Sequence, residues 1–300
     1  MKKIVIFGVG LIGGSVALAL KKSSALALKN TGNVPYIVGV GRTQESLNEA
    51  LKLGVIDEIS DALESNIHAA LEGADLVLIA APVAQTANIL QSIKPHLNKQ
   101  TIITDAGSTK KEVLTCAKEI LDEQFSQFVG GHPIAGAEIS GVSAAKEDLF
   151  SGKNVVLTPA PETNRDAVAG VAQLWKICGA NVSEMSAETH DSIFAAVSHL
   201  PHLLAFALVD EIASRPNAVQ LFSFAASGFR DFTRIAGSHP EMWRDISLAN
   251  KAALLSELTA YQDELDQLKK LLTNHDGAGL QALFERASVA RNNWAESKKT

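Results

Sequence analysis

The chain has 300 residues, of which 46% are hydrophobic and 20% charged, and a formal net charge of −6. This is the composition of a folded chain long enough for two domains, and it excludes the disordered and fibrous classes. The acidic balance argues against a nucleic-acid or anionic-membrane surface and favours a small-molecule ligand. No stretch supplies the roughly 18 uninterrupted apolar residues of a membrane span. Two cysteines, Cys116 and Cys178, are too few for a disulfide framework or a zinc site and read as buried thiols.

The first element is the run IVIFGVGLIGGSVALAL, residues 4–20, after MKK. Two lysines, an apolar run and the later Ala25-Leu26-Ala27 imitate a secretory signal. Glycines at 8, 10, 13 and 14 argue against it, because a helical signal core gains nothing from them. Gly8, Gly10 and Gly13 instead spell G-x-G-x-x-G between a β-rich IVIF and a helical SVALALKK. In this register the first glycine permits a tight turn, the second lets the backbone approach a pyrophosphate, and the third lets helix and strand pack closely. Leu11 and Ile12 open the helix, whose free N–H groups face the phosphates. With the signal set aside, the chain is expected to be cytoplasmic.

Strand and helix then alternate. PYIVGV (35–40) predicts a strand and TQESLNEALKLG a helix; ADLVLIAAP (74–82), TIITDAG (101–107), FVGGHP (128–133) and NVVLTP (154–159) predict further strands, with TKKEVLTCAKEIL helical among them. This implies an α/β, doubly wound, mostly parallel sheet of Rossmann type over residues 1–163. From about Asn164 the strand signal fades, apart from a short NVSEM, and residues 164–300 read as an all-helical domain. Its longest segment carries Leu254, Leu258, Tyr261, Leu265, Leu268 and Leu272 at alternating spacings of four and three. Such a seam fits either a helix packed within its own domain or one contributing to a dimer.

Where an NAD-binding sheet has an acidic residue at the end of its second strand, this one has Gly41, followed by Arg42 and Thr43. Glycine removes the repulsion of a 2′-phosphate, and the arginine and hydroxyl offer it bonds, so NADP is favoured, with NAD also possible. DAGSTKKE (105–112) and GGHPIAGAE (130–138) lie at carboxyl ends of predicted strands, where open α/β sheets present ligands. Ser108 or Thr109 could instead simply cap the next helix. His132, on the second of these loops, has the pKa range of a base that takes a hydroxyl proton as hydride leaves. SHLPH puts His199 and His202 three residues apart around Pro201, on one side of a kinked helix. Two histidines without a third ligand make no metal site. Arg230, Arg234, Trp243 and Arg244 fall within one short stretch that suits an anionic ligand, or else a solvated surface with arginines paired to Asp231 and Asp245.

Taken together and in order, GVGLIGGS, DAGSTK, GGHPIAGAEISG, VSHLPH and GFRDFTRIA resemble the prephenate and arogenate dehydrogenase family of tyrosine biosynthesis, over about residues 3–275. The resemblance implies oxidative decarboxylation of a cyclohexadienol with hydride transfer to a nicotinamide. It assigns His132 to the ring hydroxyl's proton, Ser108 to a hydrogen bond with the same hydroxyl, and Arg234 to a substrate carboxylate. It sets His202, Glu138 and Trp243 around the substrate and implies a homodimer built on the helical domain. It also implies that, without an added mutase or ACT-type segment, any inhibition by tyrosine acts at the substrate pocket. The rival readings are a β-hydroxyacid-type dehydrogenase, whose helical-domain lysine has no counterpart here, and a non-catalytic NADP-binding regulator.

Overall fold

The computed structural model describes residues 1–27, 34–61, 64–136 and 141–297. In KIVIF, the first strand β1 (Lys3–Phe7), every residue after Lys3 is buried. Ile4 and Ile6 point into one core and Val5 and Phe7 into another, because successive strand side chains alternate between faces and this sheet is covered on both. Around β1 lie β2 (Tyr36–Val40), β3 (Glu58–Ser60), β4 (Leu76–Ile79), β5 (Ile102–Asp105), β6 (Phe128–Pro133), β7 (Asn154–Thr158) and β8 (Asn181–Glu184), in the order β3-β2-β1-β4-β5-β6-β7-β8. All pairings among the described residues are parallel except β6 with β7.

One face is covered by α1 (Leu11–Ala27) and α6 (Arg165–Ile177), whose Val16, Leu20, Val171 and Trp175 meet Ile4 and Ile6. The other is covered by α3 (Glu64–Leu71), α4 (Thr86–Ile93) and α5 (Lys111–Leu121), through Ile67, Leu90 and Val113. Each such buried aliphatic side chain contributes about 1.5–3 kcal/mol. The helix α2 (Gln44–Lys52) follows β2 and buries Leu47 and Ala50. The strand order reverses between β1 and β4, which opens a crevice at their carboxyl ends where this fold takes its ligands.

The mostly parallel, doubly wound sheet is the one expected. It extends further along the chain than the expected boundary at 163, because α6 packs on it and β8 pairs with β7. NVSEM is thus a strand of the sheet, while β3, only three residues long and polar at both ends, carried no sequence signal.

After β8 the chain is helical: α7 (Ala187–Phe194), α8 (Leu200–Ala213), α9 (Ala218–Ser223), α10 (Ser227–Thr233), α11 (Pro240–Ala249), α12 (Lys251–Thr273) and α13 (Gly277–Ser297). A π-helical turn, Ala195–His199, joins α7 to α8. The continuous stretch Ala187–Ala213 is long and apolar enough to cross a membrane by length and composition alone. Yet it buries His190, Asp191 and His199, which are hydrogen-bonded to neighbouring elements of this fold. The chain divides into two units, Met1–Lys251 and Ala252–Thr300. The seam residues of α12 belong to the second unit, where Leu265 and Leu272 are exposed.

Candidate active site

The glycine loop has the geometry its spacing predicts. Gly8 has φ +94°, and a Cβ there would lie 2.6 Å from the Ala80 carbonyl oxygen. A Cβ on Gly13 would lie 2.2 Å from the Gly8 oxygen, so α1 can approach the strand only through glycine. Gly10 differs: a Cβ would meet nothing within 4 Å. This open space precedes the N–H groups that begin α1 at Leu11, Ile12 and Gly13, and it fits a pyrophosphate. Beyond β2, Arg42 and Thr43 are exposed, and Thr43 precedes α2 without using its side chain to cap it. A Cβ on Gly41 would lie 3.1 Å from a Leu47 methyl, a contact in which the flexible side chain must give slightly.

His132 is a strand residue, paired with Val156 near the end of β6, and not the loop residue expected. It is only 9% exposed. The cause lies in the helical part, where Phe194 sets its ring edge-on at 4.8 Å and His190 comes within hydrogen-bonding distance. His132 Nδ1 and His190 Nε2 are 2.8 Å apart, and His190 Nδ1 is 2.8 Å from Asp191 Oδ1. The Asp191 carboxylate also accepts from the backbone N–H of Lys110 at 2.8 Å and of Lys111 at 2.9 Å. Neither Ser108 nor Thr109 caps α5; a carboxylate some eighty positions away does. Burial lowers the His132 pKa well below the ordinary histidine value, assisted by repulsion from His190, Lys110 and His199. Burial also lowers His190, against the pull of Asp191. For Asp191, burial works to raise the carboxyl pKa, but the bonds from His190 and the Lys111 and Lys110 amides outweigh it and hold it below the usual range.

Beneath His132, Lys110 is fully buried and ion-paired with Asp105, and its Nζ donates to the Gly131 carbonyl at 2.8 Å. Asp105 in turn accepts from the backbone N–H groups of Gly107 at 2.9 Å and Gly131 at 3.0 Å. This pair ties the ends of β5 and β6 together next to the histidine. Breaking such a buried pair costs about 3–5 kcal/mol.

A second group continues from the first. Asn250 donates to the Asp191 carbonyl at 2.8 Å and lies 3.1 Å from His199 Nδ1. His199 is 1% exposed, and burial lowers its pKa to about 4 against the opposing pull of Asp191, with the Ser108 backbone also facing it. His199 meets Trp243 edge-on at 6.1 Å, and His202 stacks on the same indole at 3.6 Å, so both histidines face one side as their spacing predicted. His199 ends the π turn, and His202 follows in the first turn of α8, with Pro201 at its start. His202 is held below its ordinary pKa first by burial and then by the charge of Arg234. The Trp243 indole N–H is buried and has no hydrogen-bond partner among the described residues, an acceptor's place that a ligand suits.

The structure therefore joins His132, the Ser108 backbone, Trp243, His202 and Arg234 into one run of neighbouring groups. It does not include Arg230 or Arg244, which pair with Asp231 at 3.8 Å and with Asp245 at 2.7 Å. Glu138 lies outside the described residues. Sequence reasoning assigned no role to Asp105, Lys110, His190, Asp191 or Asn250. For Lys110 and Asp105 the signal was present, as charged residues bounding DAGSTK; for the other three only the fold brings them to the site. Among the described residues no group of three or more metal-ligating side chains is assembled. A separate groove of about 790 Å³, lined in part by Lys118, Glu162, Arg165 and Glu184, has these charges paired with one another and lies away from His132.

A glycine-loop Rossmann sheet with a buried imidazole at its ligand edge, closed over by helices, defines a dinucleotide-dependent dehydrogenase with an appended helical part. The prephenate dehydrogenase nucleotide-binding domain matches residues 24–184, and the prephenate dehydrogenase dimerization domain matches residues 186–286. The chain belongs to the prephenate dehydrogenase family. It is 40% identical over 291 residues to the prephenate dehydrogenase of Bacillus subtilis, covering 96% of this chain and 75% of the relative. The cyclohexadienyl dehydrogenase of Zymomonas mobilis is 34% identical over 294 residues, 97% of this chain and 95% of its own. Prephenate dehydrogenase from A. aeolicus, solved in complex with hydroxyphenyl propionate and NAD+, superposes with a TM-score of 0.88 at 36% identity and covers 98% of both chains.

Proposed function

We propose that this dehydrogenase converts prephenate, arogenate or both, by oxidative decarboxylation, to 4-hydroxyphenylpyruvate or tyrosine, with NADP preferred over NAD. The observation that carries the reading is a buried His132 linked through His190, Asp191, Asn250, His199 and Trp243 to His202 and Arg234. A buried base and a cation linked by a run of imidazole and indole side chains suit a cyclohexadienol that bears a hydroxyl at one end of its ring and carboxylates at the other.

In this reading residues 1–184 hold the dinucleotide. The amides of Gly10, Leu11, Ile12 and Gly13 take the pyrophosphate, and Arg42 and Thr43 take the 2′-phosphate. The bound nicotinamide supplies one thing, a hydride acceptor. His132 accepts the ring hydroxyl's proton as the carbon beneath it loses hydride, and Ser108 hydrogen-bonds the same oxygen. The ring carboxylate then leaves as carbon dioxide, its bonding electrons completing the aromatic ring. The phenolate oxygen takes a proton back, so the base is regenerated. Arg234 holds a substrate carboxylate by a charge-assisted bond, His202 and Trp243 shape the rest of the pocket, and the family resemblance adds Glu138 to the substrate-binding residues.

NADP is supported by glycine at the position where a carboxylate would repel the 2′-phosphate, and by an exposed arginine and an uncommitted threonine hydroxyl beside it. The A. aeolicus relative was solved with NAD+, which keeps NAD a second coenzyme for this chain. A homodimer is supported by the dimerization-domain match and by exposed apolar side chains at Leu265, Leu272, Phe284, Val289 and Trp294.

The test is the initial rate at 340 nm with each pairing of prephenate or arogenate with NAD or NADP. Turnover with NADP ahead of NAD is the expected result. No turnover with any pairing would overturn the proposed reaction, and NAD ahead of NADP would overturn the role of Arg42 and Thr43.

A further inference from the structure

With both imidazoles neutral, the hydrogen bonds that end on His132 admit one self-consistent placement of protons. The Asp191 carboxylate receives N–H groups from Lys110 and Lys111 and lies 2.8 Å from His190 Nδ1. An ionised carboxylate only accepts, so His190 Nδ1 carries a hydrogen and donates it. A neutral imidazole has a single N–H, which leaves His190 Nε2 bare, and its neighbour at 2.8 Å, His132 Nδ1, must be the donor. The one hydrogen of neutral His132 is thereby placed on Nδ1. Its Nε2, which has no hydrogen bond among the described residues, bears the lone pair.

We propose that Asp191 and His190 are positioning residues that lock His132 in its Nδ1–H tautomer and so present a bare Nε2 to the substrate hydroxyl. The inference rests on the reading of His132 as the proton acceptor. Asp191 thus has two roles, because the carboxylate that caps α5 also orients the base through an intervening imidazole. When the proton arrives on Nε2, the imidazolium so formed shares its Nδ1–H with His190, and the Asp191 charge stabilises it through that bond.

The surroundings favour this arrangement. Phe194 packs at 4.8 Å from the His132 ring and 4.5 Å from the His190 ring and shields the bond between them from water. The other groups facing the pair are Lys110 and Asp105, which neutralise each other below β6, and His199, on the π turn. Burial keeps both imidazoles of the relay below the ordinary histidine range, as a single hydrogen on each ring requires.

Asp191→Asn and His190→Gln in the full chain test the relay, with kcat and kcat/KM followed against pH, and KM and dinucleotide affinity as controls. Either change frees His132 to adopt the wrong tautomer. Removing the carboxylate also makes His132 a weaker base, so in Asp191→Asn the acid limb of kcat/KM moves to lower pH. The expected loss in kcat is at least about tenfold and up to about 10⁴-fold, the loss when a carboxylate that fixes the tautomer of a reacting histidine is removed, with KM and dinucleotide affinity unchanged. Nitrogen-15 histidine spectra of the unaltered protein give a second measurement that needs no variant, and should show His132 protonated on Nδ1 and bare on Nε2. Wild-type kcat with an unmoved acid limb in both variants, or a His132 protonated on Nε2, would overturn the relay. If His132→Asn is inactive while both relay variants are fully active, the base survives and the relay does not; if His132→Asn is fully active, both fall.

Discussion

Two side chains define the chemistry most narrowly. His132 stands neutral in a buried site, so it can accept a proton at pH values where an exposed histidine is partly charged. The acid limb of kcat/KM should accordingly lie below the ordinary histidine value of 6.5. His132→Asn should lower kcat by about 10²–10⁴-fold, the range of a lost general base, while dinucleotide binding measured by fluorescence persists. Wild-type turnover in that variant would remove His132 from the reaction. Arg234 acts on binding instead: Arg234→Gln should chiefly raise KM, and an unaltered KM would mean that the substrate carboxylate is held elsewhere. Both residues were visible in the sequence as members of motifs. Their effective environment was not, since the neighbours that set it come from α7, the π turn, α8 and α11.

At the scale of elements, the β1–α1 loop separates structural from ligand-facing glycine. Gly8 and Gly13 sit where a Cβ would strike backbone, and Gly8 also has a left-handed φ, so alanine at either should lower Tm. Gly10 faces open space. Gly10→Ala should fold with an unchanged Tm and yet bind dinucleotide at least about tenfold more weakly, about 1.4 kcal/mol. Equal affinity in Gly10→Ala, measured by titration calorimetry, would show that the pyrophosphate does not approach this atom. The strand, the helix and the three glycines were all legible in residues 4–20, because each rests on local propensity and spacing. The cap of α5 was not: Ser108 and Thr109 were the local candidates, and tertiary packing supplied Asp191 instead.

At the scale of the whole molecule, the concentration of buried histidines couples the site to stability. His199 has a pKa of about 4 in the fold against 6.5 in a free chain, so the unfolded chain binds more protons below pH 6.5. The sign follows: stability is unaffected above about 6.5 and is lost as pH falls from there to about 4. The loss reaches about 3 kcal/mol from this residue alone. His132, His190 and His202 are shifted in the same direction and add to it. Tm should fall between pH 7 and pH 5 and fall less steeply in His199→Gln; a flat Tm over that interval would contradict the buried neutral imidazoles.

The sequence by itself determined what depends on near neighbours and on order along the chain. These were the alternation of apolar strands and helices that builds the sheet, the glycine register of its first turn, the glycine and arginine after the second strand, and the motif order that marks the family. Only the tertiary structure decided what depends on distant residues meeting. It carried the sheet on to Glu184 by pairing β8 with β7, and it made His132 a buried strand residue under Phe194 and His190. It also joined Asp191 to both α5 and His190, and placed Trp243 between His199 and His202. The reason is physical: propensity and periodicity act over a turn or two of chain, whereas desolvation and hydrogen-bond partnership depend on which elements pack together.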